Sequence, residues 1–482
     1  MKKYFPKFCG PRFTAACGLV LMGLLWAKPC LSQSLAPPRR LFSPASFSRK
    51  VDPVVEADLR ELHIPGLSIA IMRGHKLVLA KGYGVADHEV GASATAHTIY
   101  SIGSVSKQFT AAAIMKLYEE GRLQLDGPVS NYLPEYPAAH IAIPTIRNLL
   151  QQNSGLPAWD DLAEFQDFDT GDPRRFDLFK IVDVIARQPP LYRPGEWWSY
   201  SNSNYTVLAA VVEHVTGMQH DKYLAGAFFN RLGLRSMGGC AGSGRVASAG
   251  RRAVGYQDSR SYALRPVTAM KARAFTGAGG LCSDAVDLAK WMRALANGEV
   301  VSAKSFREMT TAVPVRAGFA PPYGFGISLL PLAGQQVVWH MGVLSGYTTV
   351  LAYFPEHHLI ISILANARRA RLDQIVKDVA RALLGLQAPR LRDLPIDSRE
   401  AELVAGSYDD GMFKFRIFRS GTQLFLDVPP AGAPTRLLHQ GGRKFATGRP
   451  TDFRLRFEPE TGKVQRIVWE WAELRAYGRR TP

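Results

Sequence analysis

Ser104-Val105-Ser106-Lys107 stands where a polar turn gives way to a helical pattern running from Gln108 to Glu120. A serine and a lysine three residues apart on a helix share one face, so the amine reaches the hydroxyl. A serine hydroxyl is almost never ionised near neutral pH and becomes a nucleophile only when a base takes its proton during attack. Lysine fills that role when burial and neighbouring groups populate its neutral amine. Two fixed positions are a weak signal alone, but two further signals follow in order. Pro194-Gly195-Glu196-Trp197-Trp198-Ser199-Tyr200-Ser201-Asn202 ends in Tyr-x-Asn, just before a helical pattern through Val207, Leu208, Val211, Val212 and Val215 that Gly217 would cap. Later, Val337-Val338-Trp339-His340-Met341-Gly342 is a short β-rich run that stops at a glycine.

Each residue type fits acyl transfer. A tyrosine phenol titrates near ~10 when unperturbed, so Tyr200 acts as a base only beside cations, for which Lys107 and His340 are candidates. Which of Lys107 and Tyr200 takes the serine proton is left open by the residues alone. Asn202 carries a donor and an acceptor; it can hold Lys107 while bonding a substrate amide, or cap the helix that follows, and the two roles are compatible.

With these residues the chain resembles the serine β-lactamase and penicillin-binding superfamily, in its class C β-lactamase-like branch of D-alanyl-D-alanine carboxypeptidases, D-aminopeptidases and esterases. The resemblance runs from about Pro53 to Gly385 and includes Ile64-Pro65-Gly66-Leu67, Thr98 to Gly103, Asn153-Ser154-Gly155-Leu156-Pro157 and Gly279-Gly280-Leu281-Cys282-Ser283. It implies an acyl-enzyme on Ser104, with Lys107 and Tyr200 sharing the proton traffic and Asn202, His340, Gly342 and Val343 binding substrate. It also implies an oxyanion hole formed by the backbone N–H groups of Ser104 and Val343. Two departures stand out. His340-Met341-Gly342 replaces the Lys-Thr-Gly or Lys-Ser-Gly of β-lactamases, removing a hydroxyl that helps engage a β-lactam carboxylate, so weak β-lactamase activity is expected. Gln152 stands where relatives often have histidine. A penicillin-recognising sensor or envelope protein that acylates without efficient turnover would carry the same residues. No Gly-x-Ser-x-Gly elbow of another hydrolase class is present.

The elements that must position these residues are legible around them. Leu67 to Arg73 and Leu77 to Tyr83 read as a hairpin about Gly74, and Gln336 to His340, Tyr347 to Phe354 and Leu359 to Asn366 as three later strands, with His357-His358 in a turn. A helix through Val55, Leu59 and Leu62 precedes them, and one through Ile375, Val376, Val379 and Leu383 closes them at Gly385. Pairing of the two ends gives an α/β fold: a five-stranded antiparallel sheet flanked by helices, with the middle of the chain free to form an all-helical lobe. The resemblance implies the same architecture. That lobe holds the nucleophile helix, Thr145 to Gln151, the helix after Asn202, and Asp287 to Asn297. Residues 51–386 thus form the hydrolase domain and 387–397 a Pro- and Arg-containing linker. In 398–482 the period changes to two, at Phe413 to Ile417, Leu424 to Val428 and Phe453 to Phe457. About seven short strands fit a small antiparallel β-domain, similar to the lipocalin-like domain of some relatives.

Residues 1–32 read as a signal peptide, with Lys2, Lys3, Lys7 and Arg12 ahead of the apolar run Phe13 to Ala27, followed by a linker over 33–50. The protein is expected to be exported, periplasmic or extracellular. No other uninterrupted apolar stretch reaches the ~20 residues of a membrane span. The formal charge is +18, and loss of the leader would leave the chain strongly basic. The basic residues are scattered and belong to no nucleic-acid recognition module, so anionic envelope polymers or solubility explain them better. Cys9, Cys17 and Cys30 fall in the leader; Cys240 and Cys282 would either pair or remain separate buried thiols. The eleven histidines show no ligand spacing, and neither metal nor cofactor is expected.

Overall fold

The computed structural model describes residues 44–481 apart from short segments, the longest of them 166–176 and 242–250. The signal peptide expected over 1–32 and most of the linker expected over 33–50 lie outside the described residues. The last part of that linker is helical. Pro44–Glu61 forms one helix that buries Phe47, Val51 and Val55, each one turn beyond the last, so its apolar stripe begins before the stretch that reads as helix in the sequence.

The central sheet has six strands in the order Ala92–Ser93, Lys76–Asp87, Gly66–Arg73, Leu359–Ala365, Tyr347–Phe354 and Val338–Leu344, each antiparallel to its neighbours. The five expected strands are all present. The sixth, Ala92–Ser93, is two residues long, too short for an alternation to show. Leu67 pairs with Ala365, so the early and late strands of the hydrolase domain meet at the sheet centre. Both faces are covered, and the central strand Gly66–Arg73 is therefore buried along almost its whole length. Ile69, Ile71, Ile361 and Ile363 pack with the helices Pro44–Glu61 and Leu372–Leu384 on one face. Ala70, Met72, Ile360 and Leu364 face the opposite way, toward the helix Ala285–Ala296 and the helical lobe. No described helix is long and apolar enough to cross a membrane.

Val338–Leu344 is an edge strand, and its alternation decides which residues can serve a site. Trp339 and Met341 lie with Val350 in the core under the outer helices, whereas His340 faces away from that core. This relocates the specificity argument drawn from the His-Met-Gly run. Met341 is buried among apolar side chains, and a threonine there would bury a hydroxyl in the core rather than extend a hydrogen-bonding site.

Cys240 and Cys282 form a disulfide, Cα to Cα 5.1 Å, which resolves the choice the sequence left open. Cys282 lies on the short strand Leu281–Ser283, which pairs with Tyr100–Ser101 immediately before the nucleophile turn.

After 387–397, whose described residues contain no helix or strand, the helix Ser398–Val404 leads into a closed antiparallel barrel. It has eight strands rather than seven, and closure is made by the first and last, Gly406–Asp409 and Leu474–Arg480, through Tyr408 opposite Arg480 and Asp409 opposite Arg479. Alternate residues such as Phe415, Ile417, Leu424, Leu426 and Phe457 fill its interior. Phe413 and Phe453, which headed two of the expected strands, lie outside the described residues.

Candidate active site

Lys107 opens the helix Lys107–Glu119, directly after a 3-10 turn over Gly103–Ser106, and is wholly buried. Its Nζ lies 3.0 Å from Ser104 Oγ, 2.7 Å from Asn202 Oδ1 and 2.9 Å from the carbonyl oxygen of Ala278. The last two atoms only accept, so two N–H groups are committed to them. The remaining tetrahedral position faces the serine. In the neutral amine that position is a lone pair aimed at the hydroxyl proton, which is the geometry of a general base.

Asn202 is the first residue of the helix Asn202–Thr216, and Ser201 occupies the cap position without a side-chain cap bond. The capping reading of Asn202 therefore gives way to the lysine-holding one. Its Nδ2 donates to Asp160 Oδ2 at 2.8 Å, which fixes the amide so that Oδ1 faces Lys107. Asp160 was not foreseen; nothing in its local sequence marks it, because it meets Asn202 only through the fold.

Tyr200 sits in a segment without helix or strand. Its ring centroid is 4.8 Å from Lys107 Nζ and 6.2 Å from the His340 ring. The segment is pegged from the interior by Gln152, whose carbonyl accepts from Ser199 N at 3.1 Å and whose Oε1 accepts from Ser201 N at 3.0 Å and Asn204 Nδ2 at 2.5 Å. Gln152 is fully buried with φ +61°, a conformation few non-glycine residues adopt. The departure at this position thus belongs to the support of the tyrosine.

Gly342 and Val343 close the site from the edge strand. Trp339 N and O pair outward with Ser328, and by the two-residue alternation the N–H of Val343 points off the same open edge. That edge runs along the nucleophile turn. A Cβ on Gly342 would lie 1.9 Å from the carbonyl oxygen of Ile102 and 2.9 Å from Ser104 N, and one on Gly103 would lie 2.8 Å from Val343 N. Only glycine allows the two backbones to approach so closely, and Gly103 also has φ +49°. The N–H groups of Ser104 and Val343 are thereby neighbours, as two oxyanion donors must be.

His340 differs from its expected role. It is fully buried, its Nδ1 lies 2.5 Å from the carbonyl oxygen of Met341, and its Nε2 lies 2.9 Å from Tyr323 Oη. The carbonyl can only accept, so Nδ1 carries the proton and Nε2 accepts from the tyrosine. Burial, and then the nearby Lys107 charge, lower its pKa to about 3, so it is neutral and cannot act as a cation for Tyr200.

Buried His220, beside Thr110, is likewise lowered to about 3 by burial and the Arg273 charge. The unfolded chain protonates both imidazoles near pH 6.5 while the folded chain does not, so stability is full above pH 6.5 and falls as pH drops toward 3. Calorimetric unfolding across this window should show a loss of up to about 1.4 kcal/mol per pH unit from each imidazole, and His340→Gln should flatten the slope by its share. A slope that His340→Gln leaves unchanged would mean that the imidazole is already charged in the native protein.

The structure thus brings Ser104, Lys107, Tyr200, Asn202, His340, Gly342 and Val343 around one point. Among the described residues, no group of three or more His, Cys, Asp or Glu could hold a metal ion.

Known proteins are similar to this chain in family and in fold. A family model described as Beta-lactamase matches residues 51–385. PbpX of Bacillus subtilis (strain 168), named as a penicillin-binding protein, is 29% identical over 320 residues, which is 66% of this chain and 74% of PbpX. A 188-residue stretch is 36% identical to protein flp of Staphylococcus aureus (strain NCTC 8325 / PS 47), covering 38% of this chain and 36% of flp. Among solved structures, the octameric penicillin-binding protein homologue from Pyrococcus abyssi superposes with a TM-score of 0.66 at 25% identity, over 89% of this chain and 99% of its own. The D-amino acid amidase of Ochrobactrum anthropi SV3, in complex with L-phenylalanine amide, shares the fold with a TM-score of 0.62 at 21% identity, over 70% of this chain and 99% of its own.

Proposed function

This chain belongs to the Beta-lactamase family, and from that premise we propose that it is an exported serine hydrolase acting through an acyl-enzyme on uncharged ester or amide carbonyls, D-amino-acid amides and peptides among them. The observation that carries the reading is the buried Lys107 amine, with two positions committed to acceptors and the third on Ser104 Oγ. Ser104 Oγ attacks the carbonyl carbon, and its proton passes to the Lys107–Tyr200 pair and on to the leaving group. The oxyanion lies between the N–H groups of Ser104 and Val343, each contributing about 3 to 4 kcal/mol of transition-state stabilisation. Water then hydrolyses the ester at Ser104.

Neutral His340 supports the substrate class. At the position where β-lactamases carry a lysine, His340 offers no positive charge to a substrate carboxylate. A lost charge-assisted hydrogen bond is worth about 1.5 to 3 kcal/mol, or about 10- to 100-fold in kcat/KM. The leader pattern and the Cys240–Cys282 disulfide support export, where peptides containing D-residues, cell-wall derived ones included, are available.

The test is a panel of short-chain p-nitrophenyl esters, D-amino-acid amides and a cephalosporin, run on wild type and Ser104→Ala. The esters and amides should exceed the cephalosporin by at least about 10-fold in kcat/KM, with every activity lost in the mutant. Efficient cephalosporin hydrolysis would overturn the substrate class. Stoichiometric acylation without turnover would make the protein a sensor of acylating ligands instead.

A further inference from the structure

The segment that carries Tyr200 has an outer wall, and that wall leads to the barrel. Arg316 N donates to the carbonyl oxygen of Gly195 at 2.9 Å and Ala317 N to that of Glu196 at 3.1 Å, while Val315 N donates to the Phe319 carbonyl oxygen at 2.9 Å and folds this second loop back on itself. Phe319 then meets the last barrel strand, its ring stacked on Tyr477 with centroids 3.7 Å apart and edge-on to Trp197 at 4.9 Å. Tyr477 Oη donates to the Ala320 carbonyl oxygen at 3.3 Å, and the Arg479 guanidinium lies 4.1 Å above the Trp197 ring. Trp197, Trp198, Phe319 and Tyr323 belong to the same buried cluster as the barrel interior. The contacts continue inward: Trp198 lies against Tyr323 at 5.9 Å, and Tyr323 lies edge-on to Tyr200 at 6.1 Å while donating to His340.

We propose that the barrel positions the catalytic tyrosine, with Arg479 and Tyr477 acting on Tyr200 through Trp197 and Phe319. The inference rests on the role given to Tyr200 above. The segment has no ladder of its own, so the placement of the phenol is set by Gln152 within and by the barrel without. A small displacement of a proton-transfer group slows the chemical step far more than it weakens binding. Arg479 is the cleaner handle, because its side chain is exposed and can be shortened without emptying a core.

The test uses the full chain and single-turnover acylation by a p-nitrophenyl ester, in wild type, Arg479→Ala, Arg479→Lys, Tyr200→Phe and the Arg479→Ala/Tyr200→Phe double variant. Arg479→Ala should slow acylation by about 10-fold with KM changed less than about twofold. Arg479→Lys should recover most of the rate, since an ammonium can also sit over the indole. In the Tyr200→Phe background, Arg479→Ala should have no further effect, a non-additivity that loss of packing alone would not produce. A slow Tyr200→Phe beside a wild-type-like Arg479→Ala overturns the inference alone, as does an Arg479→Ala loss that persists in full in the double variant. Near-wild-type acylation by Tyr200→Phe instead overturns the role of Tyr200, and the inference with it.

Discussion

Ser104→Ala abolishes the covalent adduct that an acylating fluorophosphonate or β-lactam forms on the wild-type protein, and lowers ester turnover by at least about 1,000-fold. The expectation follows from position. Ser104 Oγ lies 3.0 Å from Lys107 Nζ and has a proton to give, whereas Asn202 Oδ1 and the Ala278 carbonyl oxygen, which the same amine also meets, only accept. Ser104 N also lies beside Val343 N, so a carbonyl held by both has its carbon next to the hydroxyl. The substitution removes a half-buried hydroxyl and leaves the two other lysine contacts intact, so the fold persists. Intact-mass spectrometry gives the answer directly: an adduct that survives in Ser104→Ala places the nucleophile elsewhere.

Lys107→Ala and Tyr200→Phe each lower the acylation rate by at least about 100-fold, the lower range for removal of a general acid or base. The two differ in what else they disturb. Lys107 is fully buried, and its loss leaves Asn202 Oδ1 and the Ala278 carbonyl oxygen without their donor, at a cost of about 1 to 3 kcal/mol in stability. Tyr200→Phe keeps the ring and removes only the hydroxyl, so its melting temperature should match wild type. Single-turnover kinetics on a p-nitrophenyl ester separates the cases: near-wild-type acylation by Tyr200→Phe would reduce the tyrosine to a rim aromatic.

Much of this site was legible because its chemistry is local. Ser104 and Lys107 are one helical turn apart, Tyr200 and Asn202 two residues apart, and His340 to Val343 consecutive on one strand, so short-range spacing and a family resemblance were enough to nominate them. What escaped depends on contacts across the fold. Asp160 and Gln152 lie 42 and 49 residues from the Asn202 and Ser201 atoms they hold. The neutrality of His340 follows from full burial and a lysine more than 200 positions away, neither of which has a local signature. Met341 was assigned to the cleft because adjacent residues of a motif were read together, whereas a strand sends them to opposite faces. The sixth sheet strand escaped because two residues carry no period, and the expected count of seven barrel strands fell one short of a closed eight.

The Cys240–Cys282 bond closes a loop across 42 positions of sequence. In the chain-entropy model such a crosslink raises the free energy of the unfolded ensemble by about 4 kcal/mol, comparable to a large share of the net stability of an ordinary domain. The tether also keeps Leu281–Ser283 near its partner strand Gly238–Gly239 after the chain has opened, so the support under Tyr100–Ser101 re-forms from a shortened search. Protein made in a reducing cytosol lacks that tether. Its thermal behaviour and refolding yield then describe a different molecule from the oxidised one, and expression compartment becomes a variable to fix before any two preparations of this enzyme are compared.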